Sequence, residues 1–440
     1  MFKKTLGKVC ILAAAMLAAV SAYAQNGANT GFTPYSIFGI GDINAQGSAY
    51  HRGMGGVGIA TRNNGYFNYL NPAAVTARDS LSFMADMSVS EANRYMAQGD
   101  IHSVGNTFNV TDIAISFPIY RSSAFMIGIT PYSSTGYKYS YILDDPDIVG
   151  KTGNAVYTSY GSGGTNKLFA AAGVTFFKRL SLGVEGQMYF GSIFKSSSFT
   201  FAKSAYSGIS TGNEIYLRGK SAKFGLQYEQ PVGQKVTVGI GATYSLGVNL
   251  SGETEAYKVA TGASQSDTLS FRKDTLGLTT GSVSIPAELG LGISINYSNV
   301  WRAEFNYTRS DWTQSGMDIV NGFAVAGAST FSTRMSESYR AGFEIIPNAN
   351  DIRYYLKRCT YRAGFYYQKS YYAVDGNQVN DIGLTLGASL PVFRLSNAMN
   401  FAVDFGQRSS TSGNMIRERY VNFTVGFNFY DLWFRKTQYQ

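Results

Sequence analysis

Val236-Thr237-Val238-Gly239-Ile240-Gly241-Ala242-Thr243-Tyr244-Ser245-Leu246-Gly247-Val248-Asn249-Leu250 decides how this chain folds. Every even position is apolar or Tyr, and every odd position is Thr, Gly, Ser or Asn. Period two over such a length describes a strand with one apolar and one polar face. The pattern recurs. Ala287, Leu289, Leu291, Ile293, Ile295 and Tyr297 oppose Glu288, Gly290, Gly292, Ser294 and Asn296. Ile382, Leu384, Leu386, Ala388 and Leu390 share a face, as do Val421, Phe423, Val425, Phe427 and Phe429.

Extending outward gives fourteen strands, near 80–92, 106–118, 123–142, 164–178, 180–203, 214–229, 235–251, 282–297, 300–313, 333–347, 358–374, 379–393, 397–409 and 418–431. The short connections are Tyr120–Ser122, Arg179, Gln230–Gln234, Ser298–Asn299 and Arg394–Ser396. Long ones span Asn93–Gly105, Leu143–Gly163, Gly252–Gly281 and Gln314–Ser332. Asn348–Lys357 is a longer turn than this alternation prefers, and Gly376-Asn377 a shorter loop. An even strand count with short turns on one side and long loops on the other is the outer-membrane arrangement. A soluble sandwich has no reason to alternate this way.

Composition agrees. Residues are 15% aromatic, with 32 Tyr, 29 Phe and 49 Gly. Only 15% are charged, against the usual quarter or so. Residues 1–24 read as a signal peptide, with Lys3, Lys4 and Lys8 before the apolar run Val9–Val20 and Ala22-Tyr23-Ala24 as the cleavage site. Removing its three lysines leaves +6 of the formal +9. No basic cluster marks a nucleic-acid footprint. Cys359 is the one cysteine after the leader, so no intramolecular disulfide is expected.

Gln25–Asp79 has few strand signals and many turn residues. It holds Gly53-Met54-Gly55-Gly56-Val57-Gly58-Ile59-Ala60 and then Asn71-Pro72-Ala73. A glycine-rich irregular segment ahead of a closed sheet reads as a hatch inside the barrel. Gly53, Gly55 and Gly58 also satisfy G-x-G-x-x-G, but no strand precedes them and no helix follows, so a dinucleotide site is rejected. The expected divisions are signal peptide 1–24, hatch 25–79, transmembrane β-barrel 80–431 and a short periplasmic tail 432–440.

The chain resembles the FadL-type outer-membrane transporters of long-chain fatty acids and other hydrophobic compounds. The glycine segment, Asn71-Pro72-Ala73 and the fourteen strands carry the resemblance. It implies a passive outer-membrane transporter for hydrophobic small molecules such as fatty acids, gated by the hatch, with lateral diffusion through the barrel wall. The ligand-pocket residues of that family have no match here. Some barrels resembling it import nothing and act as interaction or accessory proteins in protein secretion or outer-membrane assembly. Both readings stand. The partners expected are outer-membrane lipids, a hydrophobic ligand and other outer-membrane or secretion proteins, in a Gram-negative-type cell.

Neither cofactor, metal nor enzyme activity is expected. His51 falls in the hatch and His102 in an outer loop, too far apart to share a site. Asp144-Asp145-Pro146-Asp147 lacks a full calcium-loop pattern and reads as a solvated turn.

Two sets of residues carry structural expectations. The alternation turns Glu185, Glu229, Glu288, Arg302, Glu304, Arg340, Glu344, Arg362, Asp404 and Arg408 into the lumen. There they would pair with one another and with Asp42, Arg52, Arg62, Arg78 and Asp79 of the hatch, because a lone charge in a narrow lumen is costly. Pro131 falls deep within the third strand, and Gly136 follows it. A closed barrel has no edge to shelter a proline, so this strand should break or bulge and open the wall sideways. The resemblance adds a kinked third strand with a lateral opening.

Overall fold

Strands that face hydrocarbon must leave no backbone edge unpaired, so a transmembrane sheet closes on itself. The computed structural model describes residues 31–79, 82–120, 122–143, 145–203, 205–261, 266–276, 281–320, 322–323, 330–392, 397–409 and 415–432. Residues 1–24, expected as a signal peptide, and residues 433–440 of the expected tail lie outside them.

Fourteen antiparallel strands form the wall. They are β1 Ser82–Gln98, β2 Ile101–Tyr120, β3 Ser123–Leu143, β4 Ala155–Phe176, β5 Leu180–Phe201 and β6 Gly208–Val232. β7 runs in two pieces, Val236–Ser245 and Val248–Thr261, and β8 in three, Ser266–Leu276, Val283–Ile285 and Glu288–Tyr297. β9 Trp301–Asp311 precedes β10, which is Phe331–Thr333 and Met335–Ile345. β11 Thr360–Val374, β12 Asn377–Pro391, β13 Ala398–Ser409 and β14 Arg417–Leu432 complete it. β14 closes on β1 from Arg417↔Ala97 to Leu432↔Ser82.

The in–out alternation survives closure. Ile240, Ile293 and Phe305 lie side by side in register on the outer face. Their neighbours Arg302, Glu304, Asn306 and Ser294 are buried toward the interior.

Three expected long loops are corrected. Asn93–Gly105 is mostly strand, because β1 and β2 stay paired out to Gln98↔Ile101 around a turn at Gly99, and His102 lies in β2. Gly252–Gly281 contains a hairpin in which Gly252–Thr261 pairs with Ser266–Leu276. Within Leu143–Gly163, a short helix Pro146–Thr152 leads to β4, which starts at Ala155. The sheet here continues past the lipid zone. Backbone pairing persists while the period that marks a strand in the sequence breaks down: Ile101, Val104, Leu269 and Phe271 stay exposed, but charged and polar residues interrupt their rows.

Residues 31–79 run inside the barrel as two 3₁₀ turns, Pro34–Ile37 and Pro72–Ala77, a two-residue bridge Asp42–Ile43 and one helical turn Ala49–Arg52. Met54, Val57, Phe67, Ala73 and Val75 are almost wholly buried.

Candidate functional site

Asn71 fixes the lower end of the internal segment. Its backbone is extended, at φ −127 and ψ 120, as the residue before a proline prefers. Its Oδ1 accepts the Ala73 N–H at 3.0 Å. Its amide donates to Ile59 O at 2.8 Å and to Leu226 O on β6 at 3.1 Å. One side chain therefore holds the turn, the glycine stretch and the wall. Pro72 and Ala73 back onto Gly183 and Gly225, where a Cβ would overlap them.

The glycine stretch lies flat on β11 and β12. Gly55 has φ +72, a conformation that favours glycine, and its N–H donates to Thr385 Oγ1 at 2.8 Å. A Cβ on Gly53 would sit 2.9 Å from Gly387 Cα, so backbone meets backbone. Gly56 lies beside the Arg340 guanidinium and Gly58 beside the His51 ring. His51 is fully buried, with Nδ1 3.0 Å from Ser48 Oγ. Burial pushes its imidazole down to about 3, with the Arg362 charge adding to the effect.

Of the ten inward charges, six touch the segment. Glu229 pairs with Arg62 at 3.1 Å, and Arg408 with Asp42 at 2.8 Å. Glu304 accepts the Ala60 N–H at 2.9 Å and the Thr61 hydroxyl. Arg340 donates to Gly55 O at 3.0 Å, and Arg302 to Tyr50 OH at 3.4 Å. Arg362 lies 4.0 Å from the Tyr50 ring centre and 5.2 Å from that of Tyr66.

The other four meet wall residues or the cavity. Glu344 pairs with Arg362 at 3.0 Å. Asp404 accepts from Tyr366 OH at 2.9 Å. Glu185 accepts from the Gln187 amide at 2.7 Å, and Glu288 lines the cavity. Arg52 turns to its own backbone, donating to Gly47 O and Ala45 O. Arg78 lies over the Phe67 ring, and Asp79 accepts from Tyr430 OH at 2.9 Å.

The sequence reading missed Asp381 and Glu418. Asp381 takes Arg408 at 3.0 Å. Glu418 pairs with Arg94 and accepts the Thr33 hydroxyl at 2.7 Å. Both sit in phase with inward positions already read, so carrying the alternation one turn outward would have found them. Lys195 was missed in the same way: it shares the phase of Glu185 along β5 and donates to Ile37 O at 2.8 Å.

The wall is broken at β3. Pairing with β2 runs only from Tyr120↔Ser123 to Ile113↔Ile129, while the ladder to β4 continues past a bulge between Pro131 and Ser133. The internal segment takes the vacated side of β3. Asp42 and Ile43 pair with Ser134 and Ser133, Asn44 N–H donates to Tyr132 O at 2.9 Å, and Thr33 N–H to Gly136 O at 2.8 Å. The Gly136 N–H donates to Ser36 Oγ at 3.0 Å. Phe32 lies against Gly105 on the β2 bank.

A cavity of about 1300 Å³ lies behind this seam. Gly55, Gly56, Ile59 and Leu70 form its floor, and Met87, Ile113 and Ile129 continue it through the wall to the outer face. Its lining carries Lys167, Lys223, Glu288, Arg340, Asp404 and Arg408. Trp312, Tyr371 and Tyr372 roof it. They belong to an apolar core that joins Tyr35, Phe38 and Ile40 to Met317, Val320 and Phe323 of the β9–β10 connection. That core fills the outer end of the lumen.

A family description matches this chain over residues 1–440, and that family is BamG. The chain belongs to the BamG family. No curated protein matches it. Among solved structures, the BamG-family barrel is similar to the CymD monoaromatic hydrocarbon channel, with 15% identity, 89% of this chain and 98% of that chain covered, and a TM-score of 0.58. A Pseudomonas aeruginosa FadL homologue gives 12%, 90%, 99% and 0.57. The Ralstonia pickettii toluene transporter TbuX gives 16%, 87%, 98% and 0.56. These neighbours are channels and transporters rather than enzymes. At such identities they establish that the BamG-family chain has the FadL-like barrel fold.

Proposed function

We propose that this chain is a non-conducting outer-membrane barrel that serves as an interaction or accessory protein in outer-membrane assembly or protein secretion. The observation that carries this reading is the filling of both ends of the lumen. An apolar core fills the outer end, and an internal segment held by Arg62–Glu229 and by Glu304 fills the inner end. Between them lies a cavity where Lys167, Lys223, Glu288, Arg340, Asp404 and Arg408 stand among apolar and aromatic residues, so a hydrocarbon there would lie against charged groups. Full-length membership of the BamG family, with only fold-level likeness to the transporters, supports the same conclusion. Purified barrel in lipid vesicles should not accelerate uptake of toluene or a long-chain fatty acid, whereas depletion from cells should lower the amounts of other folded outer-membrane proteins. Saturable uptake by the purified barrel, with depletion leaving those proteins unchanged, would reverse the assignment.

A second reading is favoured by the seam. The cavity reaches the lipid face at Met87, Ile113 and Ile129 beside the Pro131 bulge, as a route for lateral diffusion of a hydrophobic ligand needs. Here residues 31–79 act as the hatch and the cavity receives molecules such as fatty acids or aromatic hydrocarbons. A cysteine pair joining residues 131–136 to β2 tests it. Uptake that persists after cross-linking excludes the lateral route.

A further inference from the structure

The connection between β10 and β11 departs from the others at its rim. Phe177-Lys178-Arg179 and Ser298-Asn299 turn the chain tightly, but residues 346–359 build a folded projection. It is well braced. The Asp351 carboxylate accepts the N–H groups of Arg353 at 2.9 Å and Tyr354 at 2.8 Å, and a helical turn Tyr355–Arg358 follows. Tyr355 OH donates to Pro391 O at 2.8 Å, and Cys359 is buried at the base.

On this base stand apolar side chains with no internal partner to pack on. Ile352 is 100% exposed and Leu356 67%. Beside them are Arg353, Lys357 and Arg358. Asp351 is the one acid among residues 351–358, and it is engaged by two N–H groups and by Lys357 at 3.7 Å. Its carboxyl is held below the usual range, first by the Tyr354 N–H. The projection is therefore apolar at its tips and net positive around them.

Its place on the barrel identifies what meets it. Tyr361 starts the outward row of β11, followed by Phe365 and Tyr367, and its hydroxyl donates to Leu356 O at 3.0 Å. The helical turn is thus tied beneath the lipid-facing side of the wall, at the level of the headgroups. An apolar tip flanked by cations and tyrosines matches that layer, where apolar side chains enter the acyl boundary and cations meet phosphate.

We propose that Ile352–Arg358 is an interfacial anchor for anionic phospholipid headgroups, in the leaflet at the short-turn rim of the barrel. Phe177, 92% exposed beside Lys178 at another turn of this rim, repeats the pairing of a bulky apolar residue with a cation. The proposal does not depend on whether the barrel transports.

The test uses the full chain with Ile352→Cys labelled by an environment-sensitive fluorophore, in a Cys359→Ala background. It is reconstituted in vesicles of phosphatidylcholine, and in an equimolar mixture with phosphatidylglycerol. The label should be severalfold brighter and blue-shifted in the mixture, and quenched there by a lipid-borne quencher. Reversing the three cations (R353E, K357E, R358E) should abolish the difference between the two lipids. Unchanged heat-modifiable gel mobility confirms that each variant is folded. A label equally accessible to aqueous iodide in both vesicles would overturn the proposal and give the surface to an acidic protein partner. Equal brightening in both vesicles would overturn the headgroup specificity.

Discussion

The internal segment is held by the wall in two different ways. Along β9 to β12 the hold is made by side chains. Glu304 takes Ala60 and Thr61, Arg340 takes Gly55 O, and Arg362 lies under Tyr50 and Tyr66. At β3 the hold is made mostly by backbone, with Asp42-Ile43, Asn44 and Thr33 supplying rungs that β2 does not. A side-chain hold depends on residue identity and fails when one partner is removed. A backbone hold tolerates substitution and fails mainly where a donor or an acceptor is lost.

The largest effect should come from Arg362→Met. The side chain is fully buried, and its loss leaves Glu344 without its nearest cation. Breaking a buried pair in this way costs about 3–5 kcal/mol. Urea titration of the barrel in detergent measures it, and a loss below about 1 kcal/mol would show that charge does not hold this side.

Gly364→Ala probes the same contact by shape. The new methyl overlaps Gly55 N and Met54 C. Overpacking of this kind costs about 1–3 kcal/mol. Tryptic cleavage at Arg52 and Arg62 should accelerate as the segment lifts. Unchanged cleavage would mean that the wall moves instead.

Ser36→Ala tests the seam. It removes the oxygen that accepts the Gly136 N–H but leaves the Thr33–Gly136 rung. Ser36 Oγ also donates to Thr33 O at 2.7 Å, so the expected cost is about 1–3 kcal/mol, the penalty of leaving a buried N–H without its acceptor. A loss as large as that of Arg362→Met would erase the contrast between the two sides.

Lys369→Ala is the smallest. Lys369 and Glu337 pair at 3.0 Å on the outer face of β11 and β10, and Lys369 is partly exposed. Such pairs contribute about 0–1 kcal/mol and weaken with salt. A larger, salt-insensitive loss would mean that the outer face shares in holding the wall.

The same contrast explains what could be read from the sequence. Period two located all fourteen strands and turned the ten inward charges into view, because lipid on one side and a polar interior on the other stamp each residue with its face. The pairing of Gly252–Thr261 with Ser266–Leu276 carries no such stamp, because beyond the lipid neither face needs to be apolar. Pro131 marked where β3 would break. What fills the break was not legible, since Asp42, Ile43 and Asn44 contribute rungs through groups that every non-proline residue has. The exposed Ile352 and Leu356 escaped notice because a turn has no periodicity to violate.

The glycines of the wall have a consequence for how the molecule is built. At Gly183, Gly225, Gly241 and Gly364 the backbone or a side chain of the segment occupies the place a Cβ would take. Strand spacing is set by the backbone ladder, so without residues 53–73 these glycines would leave a void along the inner wall. An empty closed barrel would keep that void and leave its inward charges without the segment's partners. Closing β14 onto β1 and seating the segment are therefore expected as one event. In a refolding time course, protease resistance of the segment and of the wall should therefore rise together, and a resistant wall around a still-cleavable segment would contradict it.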